Sequence, residues 1–257
     1  MNLIRSFFIA FSMYSKIPMP RTNWTKEAMK YTMCFFPLIG IVIGAGMLIW
    51  DWLAWQVPGR GSILYSAVLV ALPVAVTGGI HVDGLLDTAD ALSSYKSREE
   101  KLEILKDSHA GAFAVIVGIL YFLLAFGIYS QADRKSLQIL AVGFVLSRAM
   151  SGFALVSFPM AKQTGLAALF SERAVKGRVR IVSVLYILAC AGVMLCLNPV
   201  LAGAGLAGAA LALVYYYRMS KQKFGGITGD LAGFFLQVCE LVMAFCVIGT
   251  SIIGGGV

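Results

Sequence analysis

Three aspartates, Asp83, Asp87 and Asp90, recur within the segment GGIHVDGLLDTADAL (78–92). Spacings of four and three residues place their carboxylates on one face of a helix. Because like charges on one face repel one another, a bound cation would stabilise them. Hard oxygen ligands at this density suit Mg²⁺, which commonly combines a few carboxylates with substrate phosphates. The pattern therefore predicts a magnesium site that serves a phosphate-bearing substrate, with a solvated helix face as the alternative interpretation.

Two neighbouring features extend this candidate site. His81 precedes the aspartates and is interpreted as a general base or a phosphate contact, or else as an interfacial histidine with satisfied hydrogen bonds. The segment EILKDSHAGAF (103–113) follows them, and there Lys106 is expected to face a phosphate while Asp107 joins the metal ligands. Alternatively, Asp107 and Ser108 cap the next helix, because both side chains accept hydrogen bonds from free backbone N–H groups.

A glycine-rich segment, FGGITGDLAG (224–233), comes directly before the last apolar run. Glycine allows a backbone to approach a ligand closely, and the N-terminus of the following helix favours anions. Asp230 is the expected N-cap of that helix. The segment lacks the GK[ST] of a Walker A loop, and an ordinary turn is the alternative interpretation. The residues expected to bind substrate are Gly225, Gly226, Thr228, Gly229 and Asp230, together with Glu240.

Two ionisable residues, Arg148 and Glu240, lie inside apolar runs. A charge within a bilayer is costly, so each is a functional candidate. Arg148 is expected to reach a substrate phosphate; the alternative is that the two residues pair with each other and serve the fold. The predicted catalytic residues are His81, Asp83, Asp87, Asp90, Lys106, Asp107 and Arg148.

The composition indicates what kind of molecule positions these residues. Of the 257 residues, 59% are hydrophobic and 13% are charged, against about 45–50% and ~25% in soluble domains. Mean hydropathy is +0.83. These values exclude a disordered chain and an ordinary soluble globule, and the unbroken apolar runs argue against a β-barrel, whose strands alternate apolar and polar residues. The sequence predicts an all-α integral membrane protein with a single domain over residues 1–257.

Seven apolar runs suit transmembrane helices, which need about 20 mostly apolar residues. Residues 1–17 are predicted to form an amphipathic helix on the cytoplasmic leaflet, because no small-residue cleavage site follows them and Lys16, Pro18 and Pro20 argue against a signal peptide. The expected spans are 32–50, 62–80, 110–130, 137–159, 181–197, 199–217 and 232–253.

Basic residues predict the orientation. Seventeen of the 21 Lys and Arg residues fall in the N-terminal segment and in alternate loops, against three on the other side and Arg148 within a span. Because cytoplasmic loops are rich in Lys and Arg, the N-terminus is expected in the cytoplasm and the C-terminus outside. This topology places the candidate active-site segments 81–109 and 218–231 on the cytoplasmic side of a bacterial inner membrane.

The chain resembles the cobalamin (5′-phosphate) synthases, also called adenosylcobinamide-GDP ribazoletransferases. The resemblance covers nearly the whole chain in order and spacing. One departure is His109, where a different residue is expected in many members, and it affects none of the roles above. The resemblance is carried by YSKIPMPR (14–21), GGIHVDGLLDTADAL, ILKDSHAGAF and GGITGDLAG, followed by Glu240.

This resemblance implies a membrane enzyme of late vitamin B12 assembly. It implies that adenosylcobinamide-GDP and α-ribazole, or its 5′-phosphate, give adenosylcobalamin, or its 5′-phosphate, with release of GMP. The implied cofactor is Mg²⁺, and the corrinoid is a substrate. The expected partners are these two small molecules and the lipid bilayer. Further copies of the chain and other B12-assembly enzymes are candidates, and no nucleic acid is expected.

Two other classes of protein remain as alternatives. A CDP-alcohol phosphotransferase of lipid synthesis also uses an aspartate cluster on membrane helices, but its longer pattern, DGxxAR…GxxxDxxxD, is missing. An ion-coupled transporter would use the aspartates as an ion site. Against a transporter, the acidic groups cluster at one membrane face and do not cross the midplane.

Overall fold

The computed structural model describes residues 2–56, 62–107 and 109–255, and these form an all-helical molecule, as the sequence predicts. A short π-helix, Ser220–Phe224, continues one of the α-helices, and a single parallel bridge joins Met160 to Ile227. In chain order the α-helices of the described ranges are α1 (Asn2–Tyr14), α2 (Lys26–Met29), α3 (Thr32–Gln56), α4 (Ile63–Thr77), α5 (Ile80–Ser93), α6 (Arg98–Ile104), α7 (Ala112–Tyr129), α8 (Arg134–Ser157), α9 (Leu166–Arg173), α10 (Lys176–Leu197), α11 (Pro199–Met219) and α12 (Gly229–Ile253).

Six helices among the described residues are long and apolar enough to cross a membrane: α3, α7, α8, α10, α12, and α11 with its π-helical extension. They correspond to six of the seven predicted runs. The remaining run, 62–80, is divided, because Gly78 takes a left-handed conformation (φ 66°) that ends α4, and α5 departs at 95°. Alone, the 15 residues of α4 are about 22 Å long, less than the ~30 Å hydrocarbon core. The pair supplies a seventh span only if it crosses as one bent unit.

The first helix, α1, packs against α2 and α3. Ile9, Ala10 and Phe11 are buried, whereas Leu3 and Ile4 remain more than half exposed. The predicted amphipathic helix is thus confirmed over Asn2–Tyr14. Directly after it, the Lys16 backbone N–H donates to the carbonyl of Val76 at 2.8 Å, so the chain that follows α1 is tied to the end of α4.

The helix at the centre of the bundle is α8. It packs against α3, α10 and α12, and 89% of its most apolar stretch is buried, against 22% in α7 and in α10. The outer helices therefore present apolar side chains outward, as expected where lipid is the solvent. This arrangement places Arg148, on α8, deep inside the protein.

Two predicted helix caps are wrong. Asp107 does not cap α7; its carboxylate accepts from the backbone N–H of His109 at 3.0 Å and lies 2.8 Å from that ring's Nδ1. Instead, Asp90 of α5 accepts from the backbone N–H groups of Gly111 and of Ala114, the latter at 2.9 Å. The other half of that prediction, Ser108, lies outside the described residues.

The N-cap residue of α12 also differs from the expected one. Thr228, and not Asp230, accepts from the backbone N–H of Leu231, at 3.2 Å. Asp230 lies in the first helical turn, where a negative charge is stabilised by the helix dipole. Its carboxylate accepts a hydrogen bond from the Thr228 hydroxyl at 3.4 Å.

Candidate active site

A close crossing of α5 and α12 brings the aspartate segment to the glycine-rich segment. A Cβ atom built on Gly84 would lie only 2.5 Å from the Asp230 carbonyl oxygen, so a larger residue there would force the helices apart. Further along the crossing, a Cβ atom on Gly233 would lie 3.1 Å from the His81 carbonyl oxygen. The absence of side chains at Gly84 and Gly233 thus sets the distance between the two predicted active-site segments.

Four carboxylates gather at this crossing. Asp83, Asp90 and Asp230 each repel the charge on Asp87, and Asp83 also repels Asp230. Asp90 has a second task as the cap of α7. Among the described residues, no group of three His, Cys, Asp or Glu side chains is already arranged to hold a metal ion.

An open cavity of about 420 Å³ lies beside the crossing, within the ~300–1,000 Å³ typical of small-molecule sites. We call its charged lining residues the rim, and they are exposed or half-buried: Asp83, Lys106, Lys162 and Asp230. We call a set of lining residues on α1, α3, α5, α8 and α12 the inner wall, and all of them are buried except the half-buried Tyr14: Tyr14, Met33, Phe36, His81, Ser151, Leu155 and Leu236. The rim combines two cations with two carboxylates, a charge set that suits a phosphate and a counter-cation.

Lys162 is held at the rim by the short helix α6. Its Nζ donates to the Leu102 carbonyl oxygen at 2.7 Å. Burial lowers the pKa of the Lys162 ammonium group, and repulsion from Lys106 lowers it further, while Asp230 and Glu103 oppose this shift. Lys106 in turn donates to Glu103 at 2.6 Å, and this hydrogen bond holds the pKa of Glu103 below its usual range.

The glycine-rich segment is fixed by backbone pairing with the chain that leads to Lys162. The Ile227 N–H donates to the Pro159 carbonyl at 2.8 Å, and the Ala161 N–H donates back to the Ile227 carbonyl at 2.9 Å. From the other side, Arg98 Nε donates to the Phe224 carbonyl at 2.8 Å. These bonds unite three separate loops around the rim.

The turn itself depends on Gly225. Its φ is +76°, a left-handed conformation that favours glycine. A Cβ atom there would also collide with the Arg98 guanidinium, 1.7 Å away. The residue thus serves the packing of Arg98, and it does not itself line the cavity.

Arg148 and Glu240 form a buried ion pair. Arg148 Nη1 donates to Glu240 Oε1 at 2.7 Å, and Ser147 donates to the same oxygen at 2.8 Å. Their side chains are 1% and 7% exposed, and neither lines the cavity. The structure therefore shows the pairing that the sequence left as the alternative. The charge on Arg148 also disfavours a positive charge on His81.

The cavity brings together about half of the residues singled out in the sequence. The predicted residues that line it are His81, Asp83, Lys106, Thr228, Gly229 and Asp230. The predicted residues that do not line it are Asp87, Asp90, Asp107, Arg148, Gly225, Gly226 and Glu240. Asp107 and His109 stay on the exposed surface.

Sequence reasoning missed several cavity residues. Lys162 counted only as one of many basic loop residues, and Tyr14 only as part of the predicted amphipathic helix 1–17. Phe36 and Ser151 lie within apolar spans and carry no local signal of a site. A weak signal was available for Tyr14, since it begins the YSKIPMPR motif.

Comparison with known sequences identifies the family. A family model described as cobalamin-5-phosphate synthase matches residues 6–248. The chain belongs to the cobalamin-5-phosphate synthase family. A relative from Lachnoclostridium phytofermentans, named adenosylcobinamide-GDP ribazoletransferase, is 46% identical over 100% of this chain and 99% of its own length.

More distant members carry the same name. One from Clostridium botulinum is 33% identical over 95% of this chain and 97% of its own length. Another from Fusobacterium nucleatum is 30% identical over 98% of this chain and all of its own length. No solved structure matches the chain. The resemblance seen in the motifs is thus confirmed, and neither the CDP-alcohol phosphotransferases nor the transporters gain support.

Proposed function

We propose that this chain is a membrane-bound adenosylcobinamide-GDP ribazoletransferase. It joins adenosylcobinamide-GDP to α-ribazole, or to its 5′-phosphate, and releases GMP. The observation that carries the proposal is the cavity at the α5–α12 crossing, where the family motifs supply rim carboxylates and a helix N-terminus beside two lysines. The family match and the names of its members supply the substrates.

In this reaction the protein mainly binds the substrates and stabilises charge, and it need not form a covalent bond with either of them. A ribose hydroxyl of the nucleoside attacks the phosphorus next to the cobinamide. The new P–O bond forms while the bond from that phosphorus to the bridging oxygen breaks, and GMP leaves with the electron pair. The hydroxyl proton passes to a base or to solvent. Catalysis comes from placing the two reactants in line and from stabilising charge on the phosphate oxygens.

The rim supplies these stabilising groups. Lys106 and Lys162 contact the non-bridging oxygens of the diphosphate as cations. The first turn of α12, at Thr228 and Gly229, presents its positive end to the same anion. The paired segments around Ile227 keep the helix end and Lys162 at a fixed separation.

Magnesium fits the carboxylates at the crossing. Their hard oxygen atoms suit Mg²⁺, and a bound cation would relieve the repulsion between their negative charges. Mg²⁺ uses one or two carboxylates together with substrate phosphates and water, so a complete protein cage is not required. Asp83 and Asp87 would hold it with Asp230 beside them, whereas Asp90 is engaged as a helix cap. Held there, Mg²⁺ would supply positive charge that stabilises the leaving phosphate.

The active site is proposed to face the cytoplasm of a bacterial inner membrane. The loops that form the rim belong to the side that carries seventeen of the 21 basic residues. A large polar corrinoid and a nucleoside can reach this side from the cytosol without crossing the bilayer.

The proposal is tested with purified protein in detergent, adenosylcobinamide-GDP, α-ribazole and Mg²⁺. GMP should appear together with adenosylcobalamin, and only when both substrates are present. GMP release without the nucleoside would indicate a hydrolase. A product formed from CDP-alcohol donors, with no reaction of the corrinoid, would favour lipid synthesis.

A further inference from the structure

The polarity of the cavity changes with depth. At the rim, the charged groups are exposed or half-buried. At the inner wall, Phe36 is 2% exposed, Leu155 is 5% exposed and Leu236 is 1% exposed. A ligand that enters fully must therefore keep its charge outside and place an apolar group inside, because burying an unpaired charge is costly.

Three rings from separate elements line one side of the inner wall. Tyr14 and Phe36 have centroids 4.5 Å apart, and Tyr14 and His81 lie 6.1 Å apart with their planes only 23° from parallel. Phe36 meets the His81 ring edge-on at 5.9 Å. Such a surface favours a flat, aromatic ligand group, which gains both buried area and favourable ring geometry.

Polar side-chain groups are scarce at this depth. The Tyr14 hydroxyl is engaged with the Met33 sulfur at 3.9 Å, which leaves His81 and Ser151 as further polar side chains of the inner wall. His81 Nε2 has no hydrogen-bond partner among the described residues. A ligand group with one polar ring atom can be satisfied by these few polar side chains, whereas a group with many polar atoms cannot.

The bases of the two substrates in the proposed function differ in how many polar ring atoms they carry. Guanine carries several donors and acceptors along its edges, among them O6, N7 and the N2 amino group, and each one left unpaired on burial weakens binding. The dimethylbenzimidazole of α-ribazole is a bicyclic, apolar ring with one free ring nitrogen. The inner wall fits the second base and not the first.

On these grounds we infer that the inner wall is the subsite for the base of the incoming nucleoside, with Phe36 as a specificity-determining residue. The ribose then points outward to the rim, where the diphosphate lies between the lysines and the carboxylates. The guanosine stays outside the inner wall and leaves with GMP. This inference rests on the proposed function for the identity of the two substrates.

Equilibrium binding to two matched variants tests the subsite. Phe36→Leu removes a ring from the inner wall. Phe35→Leu makes the same change at the adjacent residue, which packs on Phe7 at 5.8 Å and does not line the cavity. Phe36→Leu should raise the Kd of α-ribazole roughly tenfold and leave the Kd of adenosylcobinamide-GDP unchanged, while Phe35→Leu changes neither.

Weaker binding of adenosylcobinamide-GDP to Phe36→Leu, or unchanged binding of both ligands, would overturn the inference. The wild-type protein gives a second test that needs no variant. A nucleoside that lacks both methyl groups of the base should bind at least about tenfold more weakly, and equal binding contradicts an apolar base subsite. GMP release, measured in parallel, tests the proposed function separately, since the binding assays do not depend on turnover.

Discussion

At the scale of single residues, Lys162 shows how one side chain joins the parts of the site. It donates to the Leu102 carbonyl of α6, it is attracted to Asp230 of α12, and it repels Lys106 across the rim. A phosphate between the two lysines relieves this repulsion. We therefore expect Lys162 to bind the diphosphate and to stabilise its charge during transfer.

Lys162→Gln tests that role. Glutamine keeps a donor for Leu102 but loses the charge, so kcat/KM for adenosylcobinamide-GDP should fall roughly 100-fold with little change in thermal stability. Lys135→Met, at an exposed position of α8 outside the cavity, is the control and should match wild type. Normal turnover of Lys162→Gln excludes a phosphate contact.

The pH dependence gives a further prediction for the same residue. Burial and Lys106 lower the pKa of Lys162, so its charge is lost at lower pH than in an ordinary lysine. Activity that needs the ammonium group is full below this pKa and falls as pH rises through it. In Lys162→Arg the cation persists, so the alkaline limb of the kcat/KM profile should move to higher pH. If the alkaline limb stays at the same pH in Lys162→Arg, the titration of another group causes it.

At the scale of helices, the contact of α5 with its neighbours was only partly predictable. The three aspartates on one helical face follow directly from their spacing. The approach of Asp230 does not, because it depends on Gly84 and on the path of α12, a tertiary contact that periodicity does not encode. Nor does the spacing show that Asp90 would cap α7 from another helix. The apolar runs, in contrast, predicted the spanning helices well, since length and hydropathy decide them.

Removing the Asp90 cap should loosen the start of α7. Asp90→Ala leaves the Gly111 and Ala114 N–H groups without their acceptor and should cost about 0.5–2 kcal/mol of folding stability. Thermal unfolding in detergent measures this loss. Asp83→Ala, at an exposed position of the same helix face, should leave stability unchanged in metal-free buffer. Equal losses for the two variants would contradict the assignment of Asp90 as the cap.

The Arg148–Glu240 pair connects α8 with α12. Glu240→Gln leaves a buried arginine without its counter-charge, and breaking such a pair costs about 3–5 kcal/mol. Replacing both partners, in Arg148→Met with Glu240→Leu, should cost less than the single change. Measuring both the thermal stability and the Kd of adenosylcobinamide-GDP distinguishes a structural role of the pair from a role in substrate binding. A Glu240→Gln variant that stays stable but has a greatly raised Kd would assign the pair to substrate binding.

At the scale of the whole molecule, the bent pair α4–α5 determines the topology. If the pair crosses as one unit, the spans number seven and the two termini lie on opposite sides. If it re-enters instead, the termini share a side. The distribution of basic residues favours the first arrangement, because it gathers seventeen of the 21 on one face.

A reporter fused after Val257 tests this topology. We expect it to read as external, while a reporter at the N-terminus reads as cytoplasmic. A cytoplasmic signal from both fusions means an even number of spans. The seven-span topology would then be wrong.

Rim carboxylates at the α5–α12 crossing are proposed to serve nucleotide transfer, and the rate of GMP release by Asp83→Asn decides whether they do. Asparagine keeps the size and removes the charge, so the rate with both substrates and Mg²⁺ should fall at least roughly 100-fold while the protein stays folded. Glu99→Gln, an equivalent change at an exposed position of α6, should release GMP at the wild-type rate. A wild-type rate in Asp83→Asn at low Mg²⁺ would place the transfer site elsewhere.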